Sequence, residues 1–211
     1  MIELEKIIRQ FIEKMLSRKA KEENIYNEFS LQHELGIYLR RALPGNYKVQ
    51  FERNIADILG LDSEKEKKRF VKHEIDIYIF NKNKVKERYA VELKYPTNGQ
   101  TPNQLYMFCK DFSFMEQVKK AGFSKTYVLT LVNDDKQGIS YYSGSGETDE
   151  TNTMYERFRD GGVIHGTIKY PIKNTKGYRS LEITGEYKMK WVTVKRNPIY
   201  HYYLRKMKPA L

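Results

Sequence analysis

The chain has 211 residues, 40% of them hydrophobic, enough for one sizeable core in one domain or one domain with an extension. A formal net charge of +11 suits a polyanionic partner, nucleic acid before a membrane surface, and equally a solvated basic surface that aids solubility. A single cysteine, Cys109, excludes an intramolecular disulfide framework and a multi-cysteine zinc site, and no stretch approaches the ~20 apolar residues of a membrane span. The opening MIELEKIIRQFIEKML alternates charged and apolar residues and lacks the unbroken apolar region of a signal peptide, so a cytoplasmic protein is expected.

In chain order, Ile2, Ile8, Phe11, Ile12, Met15 and Leu16 recur near helical spacing and predict an amphipathic helix over 2–19. A second helix is expected over about 25–43, with Leu31, Leu35, Tyr38, Leu39 and Ala42 as its buried stripe and Pro44-Gly45-Asn46 as its stop. Residues 47–52 alternate at period two and predict a strand; 62–68 form a charged loop. Residues 73–80 and 89–95 predict a pair of strands joined by a turn at 81–84. A helix follows over about 102–121, and then the apolar run 126–132, a buried parallel strand. The order α-α-β-β-β-α-β is that of an α/β core. Beyond a soft boundary near Asp135 the chain changes character. Residues 143–153 read as a Gly/Ser/Thr/acidic loop, and 163–172, 180–184, 187–195 and 199–204 as short β segments that form an extension or prolong the first sheet. Residues 169–211 hold eleven Lys and Arg against Glu182 and Glu186, which is nine of the eleven net positive charges.

Three residues carry chemistry. Asp76 sits mid-strand in EIDIYIF, and Glu92 and Lys94 sit on the return strand in AVELKYP. Residues two apart on a strand share a face, so Ala90, Glu92 and Lys94 point one way and Val91, Leu93 and Tyr95 the other. The paired strand brings Asp76 alongside Glu92, and two converging carboxylates are costly without a cation between them. A hard ion such as Mg²⁺ accepts one or two carboxylates and keeps several waters. It would bind a phosphate oxygen and acidify a water, while Lys94 would orient or deprotonate that water and offset charge in the transition state. Asp76, Glu92 and the backbone carbonyl of Leu93 are the expected ligands. The bland account is a salt-bridged hairpin on a solvated sheet face. Against it, the neighbours Ile75, Ile77, Val91 and Leu93 are apolar, and charges buried in a central strand need a reason.

The pattern EID-x15-ELK resembles the PD-(D/E)XK nuclease superfamily, and EIDIYI followed by AVELKYP is similar to its resolvase-type version. The likeness covers residues 25–132; Ile75 stands where the motif's nominal proline would be. It implies a restriction endonuclease-like core, a mixed central β-sheet flanked by helices over 1–135, with a basic, aromatic-rich β extension over 136–211. It further implies an Mg²⁺-dependent endonuclease (Mn²⁺ able to substitute) acting on DNA more readily than RNA, in restriction, defence or repair. In that superfamily an acidic residue on the preceding helix often completes the site. Glu34 in QHELGIYLR matches the resolvase spacing and is favoured on resemblance; helical-wheel reasoning puts Glu28 nearer the core stripe, and the choice stays open.

Gln32, Asn98, Gln100 and Gln104 are candidate contacts to phosphate, water or base, the last three following Lys94 at the end of the active strand. Lys110 and Asp111 read as a surface pair. His33, His73, His165 and His201 show no metal-ligand spacing, which argues against zinc. Tyr170, Tyr178, Tyr187, Trp191, Tyr200, Tyr202 and Tyr203 interleave with C-terminal cations, which suits nucleic-acid stacking and, equally, the filling of a sheet core. The N-terminal helix would serve a homodimer or, more simply, pack on its own domain. Two competing functions are a non-catalytic nucleic-acid-binding protein on a nuclease-like scaffold and a structural or partner-binding protein.

Overall fold

The computed structural model describes residues 1–17, 25–97, 101–134, 140–171, 180–194 and 199–208. Its centre is a six-stranded sheet in the order β1-β2-β3-β4-β8-β7. β1 (Tyr47–Asn54), β2 (Glu74–Asn81) and β3 (Lys84–Lys94) form an antiparallel meander. Helix α5 (Thr101–Lys120) then crosses over and delivers β4 (Lys125–Asn133) parallel to β3, while β8 (Tyr200–Lys206) and β7 (Val192–Val194) close the far side antiparallel. The last two strands come from beyond Asp135, so the C-terminal part prolongs the first sheet. A separate hairpin-like pair, β5 (Val163–Ile168) and β6 (Leu181–Lys188), forms the smaller β unit.

Strand alternation divides the core into two layers. Ile77, Ile79, Val91, Leu93, Leu129 and Leu131 face α1 (Leu4–Ser17) and α2 (Glu28–Ala42), which offer Leu4, Ile8, Phe11, Leu31, Leu35 and Leu39. Helix α1 thus packs on its own chain. Tyr78, Ala90, Val128 and Val132 face the other layer, where α5 contributes Leu105, Phe108, Phe112 and Met115. Helix α7 (Asp149–Phe158) adds Met154, Tyr155 and Phe158 there, and the β5–β6 pair adds Ile164, Ile183 and Tyr187. The architecture is mixed α/β, with helices on both faces of the sheet.

Local signals explain the boundaries. Asn27 caps α2 by accepting from Ser30 N at 2.8 Å, and Ser30 Oγ accepts from Asn27 N at 3.0 Å, a reciprocal capping box. A Cβ at Gly36 would collide with the Phe51 ring, so glycine lets α2 lie close against β1. The expected loop over 143–153 is corrected: α7 begins at Asp149, because Thr148 and Thr151 make a second capping box and Met154, Tyr155 and Phe158 supply a buried stripe. A short helix, α3 (Ile55–Leu59), follows β1 where no element was expected; the expected charged loop over 62–68 carries a second, α4 (Glu64–Lys67), and the remaining turn, α6, spans Ser140–Ser143. The expected strand over 187–195 divides between the end of β6 and β7. Tyr187, Tyr200, Tyr202 and Tyr203 are buried, so these rings fill the core and are not free to stack on a ligand. Tyr178 lies outside the described residues.

Candidate active site

The register Ile77 to Val91 and Tyr78 to Ala90, carried one residue further, sets Asp76 opposite Glu92 on the α5-facing side of the sheet. Lys94 follows Glu92 by two residues at the end of β3, beside Thr130 of β4. Asp76 Oδ2 accepts from Leu93 N at 2.6 Å, which ties the carboxylate across the strand pair. Lys94 Nζ lies 3.1 Å from Glu28 Oε1 and 3.6 Å from Asp111 Oδ2, and it donates to the Leu93 carbonyl at 2.9 Å. The expected ligand oxygen of Leu93 is therefore engaged by the neighbouring lysine.

Of the two helical carboxylates, Glu28 reaches the cluster. It is the first residue of α2, and besides Lys94 it accepts from Tyr95 N at 3.3 Å. Glu34 points elsewhere, with His33 Nδ1 at 3.9 Å. Six residues on a helix amount to a rotation of about 240°, so the two side chains cannot serve one site. Gln32, one turn beyond Glu28, donates to the Asp76 carbonyl at 2.9 Å and to Glu52 Oε1. Glu52 adopts a left-handed backbone with φ 47°, rare for a residue with a side chain, and that turn aims its carboxylate at α2. Glu28, Phe29, Gln32, Glu52, Asp76 and Leu93 line a cleft of about 250 Å³. Gln104 is half-buried in the first turn of α5 and is not among these lining residues; Asn98 and Gln100 lie outside the described residues.

Two members were missed. Lys72, in the segment before β2, joins Glu92 Oε2 to Asp111 Oδ1, the latter at 2.9 Å. The surface pair expected of Lys110 and Asp111 is a correction: Asp111 is 2% exposed. It lies three residues after Phe108 and four before Met115, on the buried stripe of α5, so a lone acid on an apolar face was the available signal. Lys72 had none, because its segment has no period to orient it.

Burial dominates the electrostatics. It pushes the Asp76 carboxyl up to about 6, with Lys72, Lys94 and the Leu93 N–H pulling the other way. It pushes Glu92 well above the usual carboxylate range, and the nearby Asp76 charge adds to that. For Lys94 burial works downward, but the charges of Asp111 and Glu28 outweigh it and hold the ammonium above its ordinary value. Lys72 behaves likewise, held by Asp111 and Glu92. Glu92 is fully buried and its Oε1 has no hydrogen-bond partner. Such an orphan is expensive unless a proton or cation meets it.

Among the described residues no three His, Cys, Asp or Glu side chains form a cage for a metal ion. The donor set that is present, two facing carboxylates with one free buried oxygen, suits a hard ion that retains water and not a tetrahedral zinc site. No helix among the described residues is long and apolar enough to cross a membrane. No protein family, curated protein or solved structure matches the chain.

Proposed function

We propose that the protein is a metal-dependent nuclease with a restriction endonuclease-like core, hydrolysing phosphodiester bonds in DNA. The observation that carries this is the orphaned Oε1 of fully buried Glu92, set opposite Asp76 with Lys94 at the strand end. Asp76 and Glu92 would hold Mg²⁺ or Mn²⁺, which when bound supplies Lewis acidity toward the scissile phosphate and the attacking water.

The chain's own residues do the rest. Lys94 is a half-buried ammonium held by Glu28 and Asp111, and it would donate to the attacking water or a phosphate oxygen and offset developing negative charge. Glu28 accepts from Lys94 and fixes its direction. Gln32 holds the Asp76 backbone and the strained Glu52 together, which keeps one wall of the cleft rigid. Outside the cluster, Lys188, Lys190, Arg205, Lys206 and Lys208 line a groove of about 620 Å³, with Asp160 and Glu186 as the acids among its described residues. Glu92 is level with Val128, and Val128 with Arg205, so this groove begins two strands, about 10 Å, from the site. Its charge suits a phosphate backbone.

A second function, nucleic-acid binding without turnover, draws on the Lys72 bridge, which already compensates Glu92 and Asp111. The test is incubation with plasmid and branched DNA in Mg²⁺, in EDTA and as Lys94→Ala. Mg²⁺-dependent cutting lost in K94A is expected. Salt-sensitive binding with no cutting in Mg²⁺ or Mn²⁺ would favour the second function, and no binding would leave a structural or partner-binding role.

A further inference from the structure

Lys72 has no part in the chemistry above, yet it sits at the centre of the charges. Its ammonium spans Glu92 Oε2 and Asp111 Oδ1 and rests 5.7 Å from the Phe114 ring centroid. Glu92 is 0% exposed and Asp111 2% exposed. Two buried carboxylates converging on one point need a cation between them, and in hydrolytic sites with two metal ions such a pair often takes the second ion. Here the chain fills that point with its own side chain.

The charge count agrees. Asp76, Glu92, Asp111 and Glu28 are four carboxylates; Lys72 and Lys94 are two ammonium groups. With Glu52 of the cleft wall added, the surplus is three negative charges, of which one divalent ion cancels two and a second would overshoot. The atoms agree as well. Lys72 engages Glu92 through Oε2 and leaves Oε1, on the same carboxylate, without a partner.

We propose that Lys72 is a tethered cation standing where a second divalent ion would otherwise bind, so that this site takes a single divalent ion, and that the same contact presents Glu92 Oε1 to it. Lys72 is thus a positioning residue acting through Glu92. This rests on the metal-dependent function proposed above, but it concerns ion number and not turnover.

The experiment is Mn²⁺ titration of the full chain followed by calorimetry and by thermal unfolding. Wild type is expected to take up one Mn²⁺ per chain. Lys72→Met and Lys72→Gln expose the Glu92–Asp111 pair and are expected to take up two, with a larger Mn²⁺-induced rise in Tm than wild type. Lys72→Arg keeps the cation and should keep one ion. Two ions in wild type overturn the proposal even if every Lys72 variant fails to fold. So does the same ion number and Tm shift in K72M and K72Q as in wild type, including none in all. A gain of ion binding in K72M without DNA cleavage by wild type would remove the nuclease function and leave the tethered cation standing. Mg²⁺-dependent cleavage with two ions in wild type would do the reverse.

Discussion

Glu92 and Glu116 lie in the same layer of the molecule, one on β3 and the other on α5, and they are treated in opposite ways. Glu116 has every oxygen occupied. Its Oε2 accepts from Thr184 N at 2.9 Å and Thr184 Oγ1 at 3.0 Å, and its Oε1 from Gly185 N at 2.6 Å and the Tyr187 hydroxyl at 2.8 Å. It fastens the β5–β6 unit to α5 and has nothing left to offer a ligand. Glu92 is more deeply buried, receives one ammonium, and keeps Oε1 free. The same contrast appears in protonation. Glu87 accepts from the Tyr47 hydroxyl and Asn81 Nδ2, and these donors draw its carboxyl down to about 2, whereas burial sends Asp76 up to about 6. A carboxylate that builds structure is surrounded by donors. One left for chemistry is desolvated and incompletely paired.

The sharpest way to break this comparison is to neutralise each carboxylate in turn. Glu92→Gln should lower Mg²⁺-dependent plasmid cleavage by about 10²–10³-fold, the scale of losing one preorganised charge contact, while Glu116→Gln stays within a few-fold. Equal losses in the two variants would mean that the contrast is not functional. Stability should rank the other way. Glu116→Ala leaves the Thr184 and Gly185 N–H groups and the Tyr187 hydroxyl without their acceptor and should cost about 2 kcal/mol in urea unfolding.

A smaller effect tests how the α2 carboxylate is delivered. Gly36→Ala requires the Phe51 ring or α2 to shift, at about 1–2 kcal/mol, and a shift of α2 should reduce cleavage through Glu28 even though Gly36 is remote from the cluster. Undiminished cleavage in a destabilised G36A would show that Glu28 need not be held closely.

The smallest effects are in pH. Asp76 binds its proton more tightly when folded, so its stabilising contribution is present below its ordinary value of 3.8 and is lost as pH rises through about 6. Asp76→Asn should therefore gain Tm relative to wild type between pH 4 and pH 8. Glu87 is the reverse case: its contribution is present above 4.5 and is lost as pH falls through about 2. Glu87→Gln should lower Tm by a constant amount across the neutral range and flatten the acid limb, meeting wild type as pH falls through about 2. Parallel pH profiles for D76N and E87Q would remove the electrostatic half of the comparison.

Much of this was legible along the chain, and the exceptions have causes. Period-two strands and the helical stripes of α1, α2 and α5 are local patterns, so those helices and β1 to β4 follow from the order of residues alone, while the short α3 and α4 have too few residues to show a period. The same periodicity places Asp76 beside Glu92 and Lys94 two residues on, because strand pairing and alternation are the whole of that geometry. Helix α7 was misjudged because Ser, Thr and Gly mark both loops and caps, and only the burial of Met154, Tyr155 and Phe158 separates the two.

What the tertiary structure alone decided is who meets whom. Glu28 and Glu34 sit on one helix, and the docking of α2 on the sheet brings the first to Lys94 and turns the second away. Lys72 and Asp111 are 39 residues apart and share no motif with Asp76 or Glu92. They meet because α5 crosses over the sheet and lays its buried stripe on the α5-facing side of β3, a contact that no local period encodes.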